Sequence, residues 1–155
     1  MKTEERIEQQ RELIETIGRH LEKEGHQPTA ARVLGLLMVM DKEYYAFDEI
    51  VEELQISKSS ASIVLRHLEA TNKIEYKTFP NNRKKYYHLA RKDFFSMINE
   101  FEYKTQQITE LLKQIIILKA DSNSENSKFF SDLIQMFEFF NSKIEQLKKE
   151  YKQKQ

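Results

Sequence analysis

Three seryl hydroxyls, Ser59, Ser60 and Ser62, fall between two cations, Lys58 and Arg66, in the nine-residue stretch KSSASIVLR. Hydroxyls and short cationic side chains at that density suit phosphate oxygens and the acceptors on base edges. Seventeen residues later Arg83, Lys84 and Lys85 stand side by side. Three adjacent cations repel one another, and the potential they build attracts a polyanion above all. From Ile56 to Lys92 the chain carries nine Lys/Arg against two acids, Glu69 and Glu75. The formal charge of the whole chain is +0, so this segment at +7 is balanced by −7 elsewhere. Net charge argues against nucleic acid, whereas its distribution argues for it.

Catalytic chemistry finds no comparable grouping. The chain has no cysteine, which excludes a thiolate nucleophile, a disulfide and a cysteine zinc site. His20, His26, His67 and His88 lack metal-ligand spacing, and Gly18, Gly25 and Gly35 form no phosphate-cradling loop. An enzyme, a metal site and a cofactor are therefore not expected.

The elements that must position these groups follow from periodicity. Ile50, Leu54, Ile56, Ala61, Val64, Leu65 and Leu68 recur at the spacing of two short helices packed across each other, with a turn at Gln55 to Ser57. Ser57 is a good N-cap, so the second helix is predicted over Lys58–Ala70. Its apolar side turns inward, leaving Lys58, Ser59, Ser62 and Arg66 facing solvent, with Ile63 among them. A major groove about 12 Å wide admits one such helix. After Asn72 the pattern alternates: Ile74 and Tyr76, then Phe79-Pro80-Asn81-Asn82 as turn chemistry, then Lys85 to Leu89 returning. That is a β-hairpin with a basic tip over Thr78–Lys85, and Lys77 adds a cation to it.

Three strings carry a family resemblance: GHQPTAARVLGLLMVM, DEIVEELQISKSSASIVLRHLEATNKIEY and NNRKKYYHL. Over Gly25 to Leu89 the chain resembles MarR-type winged-helix transcriptional regulators, and more closely their GbsR-like branch. The resemblance implies a dimeric regulator with the second helix in the major groove and the wing on the backbone or minor groove. It places DNA contact on Lys58, Ser59, Ser60, Ser62, Arg66, Arg83 and Lys84. Two positions depart from the pattern: Ser59 and Asn82 stand where relatives often have glycine. Asparagine tolerates the left-handed backbone such a turn needs.

Flanking helices complete the expectation. Thr3 to Glu24 is a polar helix with a thin apolar stripe, Ile7, Ile14, Ile17 and Leu21, stopped by Gly25. Thr29 is the expected cap of an apolar helix that centres the winged domain, and Tyr44 to Phe47 a short strand. A long helix from Asp93 carries Phe94, Ile98, Phe101, Ile108, Leu112 and Ile115, and breaks at Ala120 to Ser124. In the last helix Phe130, Leu133, Phe137, Phe140, Ile144, Leu147 and Tyr151 step as a heptad seam. A seam needs a partner, and the stripes at both ends are expected to make a homodimer that spaces two recognition helices roughly 34 Å apart.

The fold class expected is mainly α with a small β-wing. Its parts are an N-terminal dimerisation helix (1–24), a winged helix-turn-helix domain (25–91) and a C-terminal dimerisation region (92–155). Phe129, Met136 and Phe139 lie off the seam, and an aromatic cage there would suit a quaternary amine. The resemblance implies effectors such as choline or glycine betaine, although the aromatics read first as dimer core. No apolar run approaches the ~20 residues that span a membrane, and a cytoplasmic protein is expected. The function expected is a homodimeric regulator of double-stranded DNA, acting as a repressor. The alternative is an assembly module whose winged domain contacts protein and whose arms form a coiled coil.

Overall fold

From Pro28 onward each helix start is written in a side chain or a ring. The computed structural model describes residues 3–154, apart from the side chain of Phe94, which leaves that residue's place in the apolar pattern outside the described set. Among the described residues there are six helices and three strands. They run α1 (Thr3–Lys23), α2 (Pro28–Val39), β1 (Tyr45–Ala46), α3 (Phe47–Leu54), α4 (Lys58–Ala70), β2 (Ile74–Phe79), β3 (Asn82–Leu89), α5 (Phe94–Leu118) and α6 (Glu125–Gln153). Ser57, Asp93 and Ser124 cap α4, α5 and α6 by accepting from the amides of Ser60, Ser96 and Ser127. The architecture is that of a winged helix-turn-helix flanked by long helices.

Three local expectations need correction. The N-cap of α2 is Gln27 rather than Thr29, with Pro28 at the first helical position, because proline's missing amide costs nothing there. The first strand is shorter than Tyr44 to Phe47, since Phe47 already begins α3. In the wing turn the left-handed residue is Asn81 (φ 63°), not Asn82.

The chain divides into two compact units at Arg91/Lys92. In the first, α2 is buried nearly all round and collects Ile14 of α1, Ile50 of α3, Val64, Leu65 and Leu68 of α4, and Ile74 and Tyr87 of the sheet. The sheet order is β1-β3-β2, antiparallel throughout. Two glycines let α1 lie close on α2. A Cβ on Gly35 would stand 3.2 Å from the Ile14 carbonyl oxygen, and one on Gly18 would meet Arg32. Arg32 in turn pairs with Glu15 (3.1 Å) and Glu22 across the helix crossing.

In the second unit α5 and α6 form an antiparallel hairpin. Its contact seam is Thr105, Thr109 and Leu112 on α5 against Ser127, Ile134 and Ile144 on α6. Thr105 donates to the Asn141 side chain (2.9 Å), and Lys148, largely covered, reaches Glu102 (3.4 Å). The α6 side of this seam is offset from the predicted heptad: Ile144 belongs to it, whereas Phe140 and Leu147 are more than half exposed. A second apolar row therefore remains on each helix. On α5 it is Met97, Phe101, Ile108, Leu111, Ile115 and Leu118, and on α6 Phe129, Leu133, Met136, Phe140 and Leu147. At 100° per residue the row lies about 95° round from the seam on α5 and about 110° on α6, in the sense that turns both to one side of an antiparallel pair. Every residue of the two rows except half-buried Leu133 is over 40% exposed.

Candidate nucleic-acid interface

The joint between α3 and α4 is set by Gln55, whose φ of 50° turns the chain between the two helices. The first helix is anchored by Glu49, whose carboxylate accepts from the Ala46 amide (2.8 Å) and from Lys42. Those hydrogen bonds, Lys42 first, hold the carboxyl below its ordinary range despite partial desolvation. With Ile50 and Ala61, Val64, Leu65 and Leu68 all buried, α4 has one fixed face, and its opposite face is decided by elimination.

On that face Ile63 is 58% exposed, where its side chain could meet an apolar surface such as a thymine methyl. Ser59 and Arg66 are exposed beside it and Ser62 is half-buried. The Arg66 Nε donates to the Ser62 carbonyl (3.3 Å), which lays the guanidinium along the helix. Lys58 is exposed but pairs with Asp48 at 3.7 Å. Ser60 belongs to the cap: its amide donates to Ser57 Oγ (3.1 Å), and the Ser57 hydroxyl donates to Ser60 Oγ (2.9 Å). The Ser59 hydroxyl also lies 3.0 Å from Ser57 Oγ, so Lys58, Ser59 and Ser60 each have a partner within the chain, and Ser62, Ile63 and Arg66 make up the rest of this solvent-facing side.

The wing is built by an irregular ladder. Lys77 pairs with Tyr86 and Phe79 with Asn82, so Thr78 alone stands opposite Arg83, Lys84 and Lys85. A bulge of that kind re-aims side chains, and here it holds the whole cationic run. Pro80 and left-handed Asn81 close the tip, and the Asn82 side chain secures it by accepting from the Lys84 amide (3.0 Å) and donating to the Tyr86 hydroxyl (2.8 Å).

The wing cations divide into two groups. Among the described residues Arg83 and Lys84 have no acidic partner within ion-pair distance. Lys85 lies 3.8 Å from the centre of the Tyr76 ring and 3.9 Å from Glu69. Lys77 lies 3.6 Å from the centre of the Tyr44 ring and 4.9 Å from that of Phe79. The sequence reading missed this aromatic set, although the alternation of Lys77 and Phe79 on one strand face and Tyr86 and His88 on its neighbour was the available signal.

The predicted dimer residues scatter. Ile14 is buried in its own chain's core, Leu21 packs against that core, and Ile7 and Ile17 are half-buried. Phe130, Leu133 and Phe137 are half-buried, Ile144 buried, and Phe140 and Leu147 exposed. Phe129, Met136 and Phe139 do not converge within one chain. Ten residues of helix separate Phe129 from Phe139, about 15 Å of axial rise, so their rings cannot close on one small cation.

An open cleft of about 220 Å³ in the first unit is lined by Ile14, Leu36, Met40 and Leu54 below Arg11, Glu15, Arg32 and Glu53. Its charges already pair, Arg32 with Glu15 and Arg11 with Glu53 (4.0 Å). Among the described residues no group of three His, Asp or Glu could hold a metal ion, and no helix is long and apolar enough to cross a membrane.

No family model matches the sequence. Over 96 residues the chain is 33% identical to the HTH-type transcriptional repressor GbsR of Bacillus subtilis (strain 168), a match covering 61% of this chain and 52% of that protein. The match therefore spans about half of the relative's length. Among solved structures, a transcriptional regulator superimposes with a TM-score of 0.71 at 21% identity, covering 94% of this chain and 99% of the other. The two chains share one winged-helix fold.

Proposed function

We propose that this chain is a homodimeric, sequence-specific DNA-binding transcriptional regulator that acts as a repressor. Helix α4 enters the major groove with Ser59, Ser62, Ile63 and Arg66, and the wing lays Arg83 and Lys84 on the backbone or minor groove. The observation that carries this reading is the bulge: the ladder loops out the one run of three cations and leaves two of them without acidic partners. A surface kept positive in that way, on the same unit as an exposed helix face of short polar side chains, fits a polyanion better than a protein. The partial likeness to a curated repressor supports the direction of regulation.

The second copy docks through the α5/α6 hairpin. Among the described side chains of this two-helix unit only Leu112, Ile134 and Ile144 are buried apolar ones, too little core to order some sixty residues by itself. Its two outward rows make one apolar face, and a second copy presents the same face, so a two-fold pair closes a four-helix bundle. Phe129 and Met136 then belong to this interface, and a quaternary amine would have to be caged by rings from both chains.

The test is an anisotropy titration against the DNA upstream of the chain's own coding sequence, with competitor DNA, at two salt concentrations. Binding that survives competitor and weakens steeply with salt supports the regulator. The assembly-module reading is favoured only by the extent of the apolar hairpin face, and predicts association that salt barely changes.

A further inference from the structure

We propose that Lys77 is a positioning residue of the wing and not a phosphate contact: with Tyr44 it forms a cation–π strap that sets the direction of the basic tip. This rests on the DNA-binding reading above and assigns one of its cations a different task.

The strap crosses the sheet. Lys77 pairs with Tyr86, and Tyr86 with Ala46, so the three stand in one row across β2, β3 and β1. Tyr44 precedes β1, and its ring is placed on the sheet by edge contacts with His88 (5.3 Å) and Phe79. From the edge strand β2 the Lys77 ammonium reaches over β3 to the Tyr44 ring at 3.6 Å. The strand it ties down has two residues, too short a ladder to hold the opposite edge firmly. Further rings continue the contact toward the tip. Phe79 packs edge-on against Tyr44 (6.1 Å) and Tyr86 (5.1 Å), and Tyr86 accepts from Asn82 at the turn. Beyond Lys77 and Tyr86 the bulged tip has no third strand beside it. The cross-sheet ties nearest Arg83 and Lys84 are thus two, the Lys77 ammonium and the Phe79 ring, and both end on Tyr44.

Charge and exposure separate Lys77 from the tip. Its ammonium already sits against two ring faces, where a cation loses part of its hydration and gains the ring quadrupole. A phosphate would compete with both rings for the ammonium.

The experiment measures affinity for a duplex of about 30 base pairs, enriched by the wild-type chain from a random-sequence pool, across a salt series. The expected result is that Lys77→Met and Tyr44→Leu each weaken binding about threefold to tenfold with the salt slope unchanged. Lys77→Arg and Tyr44→Phe, which keep a cation on a ring, stay near wild type. Amide hydrogen exchange of free protein supplies a readout without DNA: residues 82–86 exchange faster in Lys77→Met and Tyr44→Leu, while the α2 and α4 amides do not. Arg83→Ala with Lys84→Ala is the control, and lowers the slope by about 1.8. If Lys77→Met lowers the slope by about 0.9 and Tyr44→Leu leaves binding intact, Lys77 touches phosphate and the strap is overturned. Unchanged affinity and exchange in both variants overturn it equally. If no duplex is enriched, the control is silent as well, and it is the DNA-binding reading that fails, taking this inference with it.

Discussion

The Arg32 guanidinium lies across Gly18: a Cβ on that glycine would stand 2.9 Å from Arg32 Nε. The absent side chain lets a charged residue of α2 sit in the crossing with α1, where Glu15 and Glu22 hold it and little of it stays exposed. At the other notch of the same crossing, Gly35, the obstacle is the Ile14 main chain.

The two glycines should respond unequally to alanine. Each substitution gains about 1 kcal/mol of helix propensity. At Gly18 the obstruction is a flexible side chain, so Gly18→Ala should change stability little and loosen Arg32 from its acids. At Gly35 backbone must move, and overpacking at about 1–3 kcal/mol outweighs the gain. Urea unfolding of both variants checks the order, and a Gly35→Ala protein as stable as wild type would refute the close approach.

Ser57 caps α4 by accepting from the Ser60 amide. Ser57→Ala should destabilise the first unit by about 1 kcal/mol through the lost cap. Ser62→Ala should leave stability alone and change which sites are preferred, as read by repeating the duplex selection. Identical site preferences for wild type and Ser62→Ala would remove Ser62 from the groove.

Like charge in the hairpin face should separate the copies. Ile108→Lys with Phe140→Lys places cations of one sign in the outward rows, both positions exposed in the single chain, so each chain should still fold. Sedimentation should then give a monomer where the wild type gives a dimer, with loss of DNA affinity. A dimer that persists would move the interface elsewhere.

Acid should spare one carboxylate. Hydrogen bonds from Lys104 (2.8 Å) and Lys92 (2.9 Å) hold Glu100 down to about 2. A lowered carboxyl stabilises the folded state fully above its ordinary value near 4.5 and loses that contribution as pH falls toward 2. Carboxyl-carbon NMR should show Glu100 still ionised at pH 3. Titration at its ordinary value would mean that the two lysines do not hold it in solution.

Much of this protein is legible along the chain. Ser57, Asp93 and Ser124 announce their helices because a cap is a contact between residues three apart. The helix-turn-helix and the hairpin follow from apolar periods, and the cationic tip from three consecutive letters. What the sequence could not decide is which of its regular rows finds a partner in its own chain. Helix α6 carries apolar residues on two overlapping stripes, and a 3.6-residue period fits both. Only packing against α5 assigns Ile134 and Ile144 to the inner one and leaves Phe140 outside. The wing poses the same problem in charge. Lys77, Arg83, Lys84 and Lys85 are equal in charge, yet register and bulge set Lys77 and Lys85 on tyrosine rings and leave Arg83 and Lys84 without ion pairs among the described residues. Local periodicity determines which elements form and which faces are apolar. The pairing of one face with another depends on contacts between distant segments, and only the folded chain contains them.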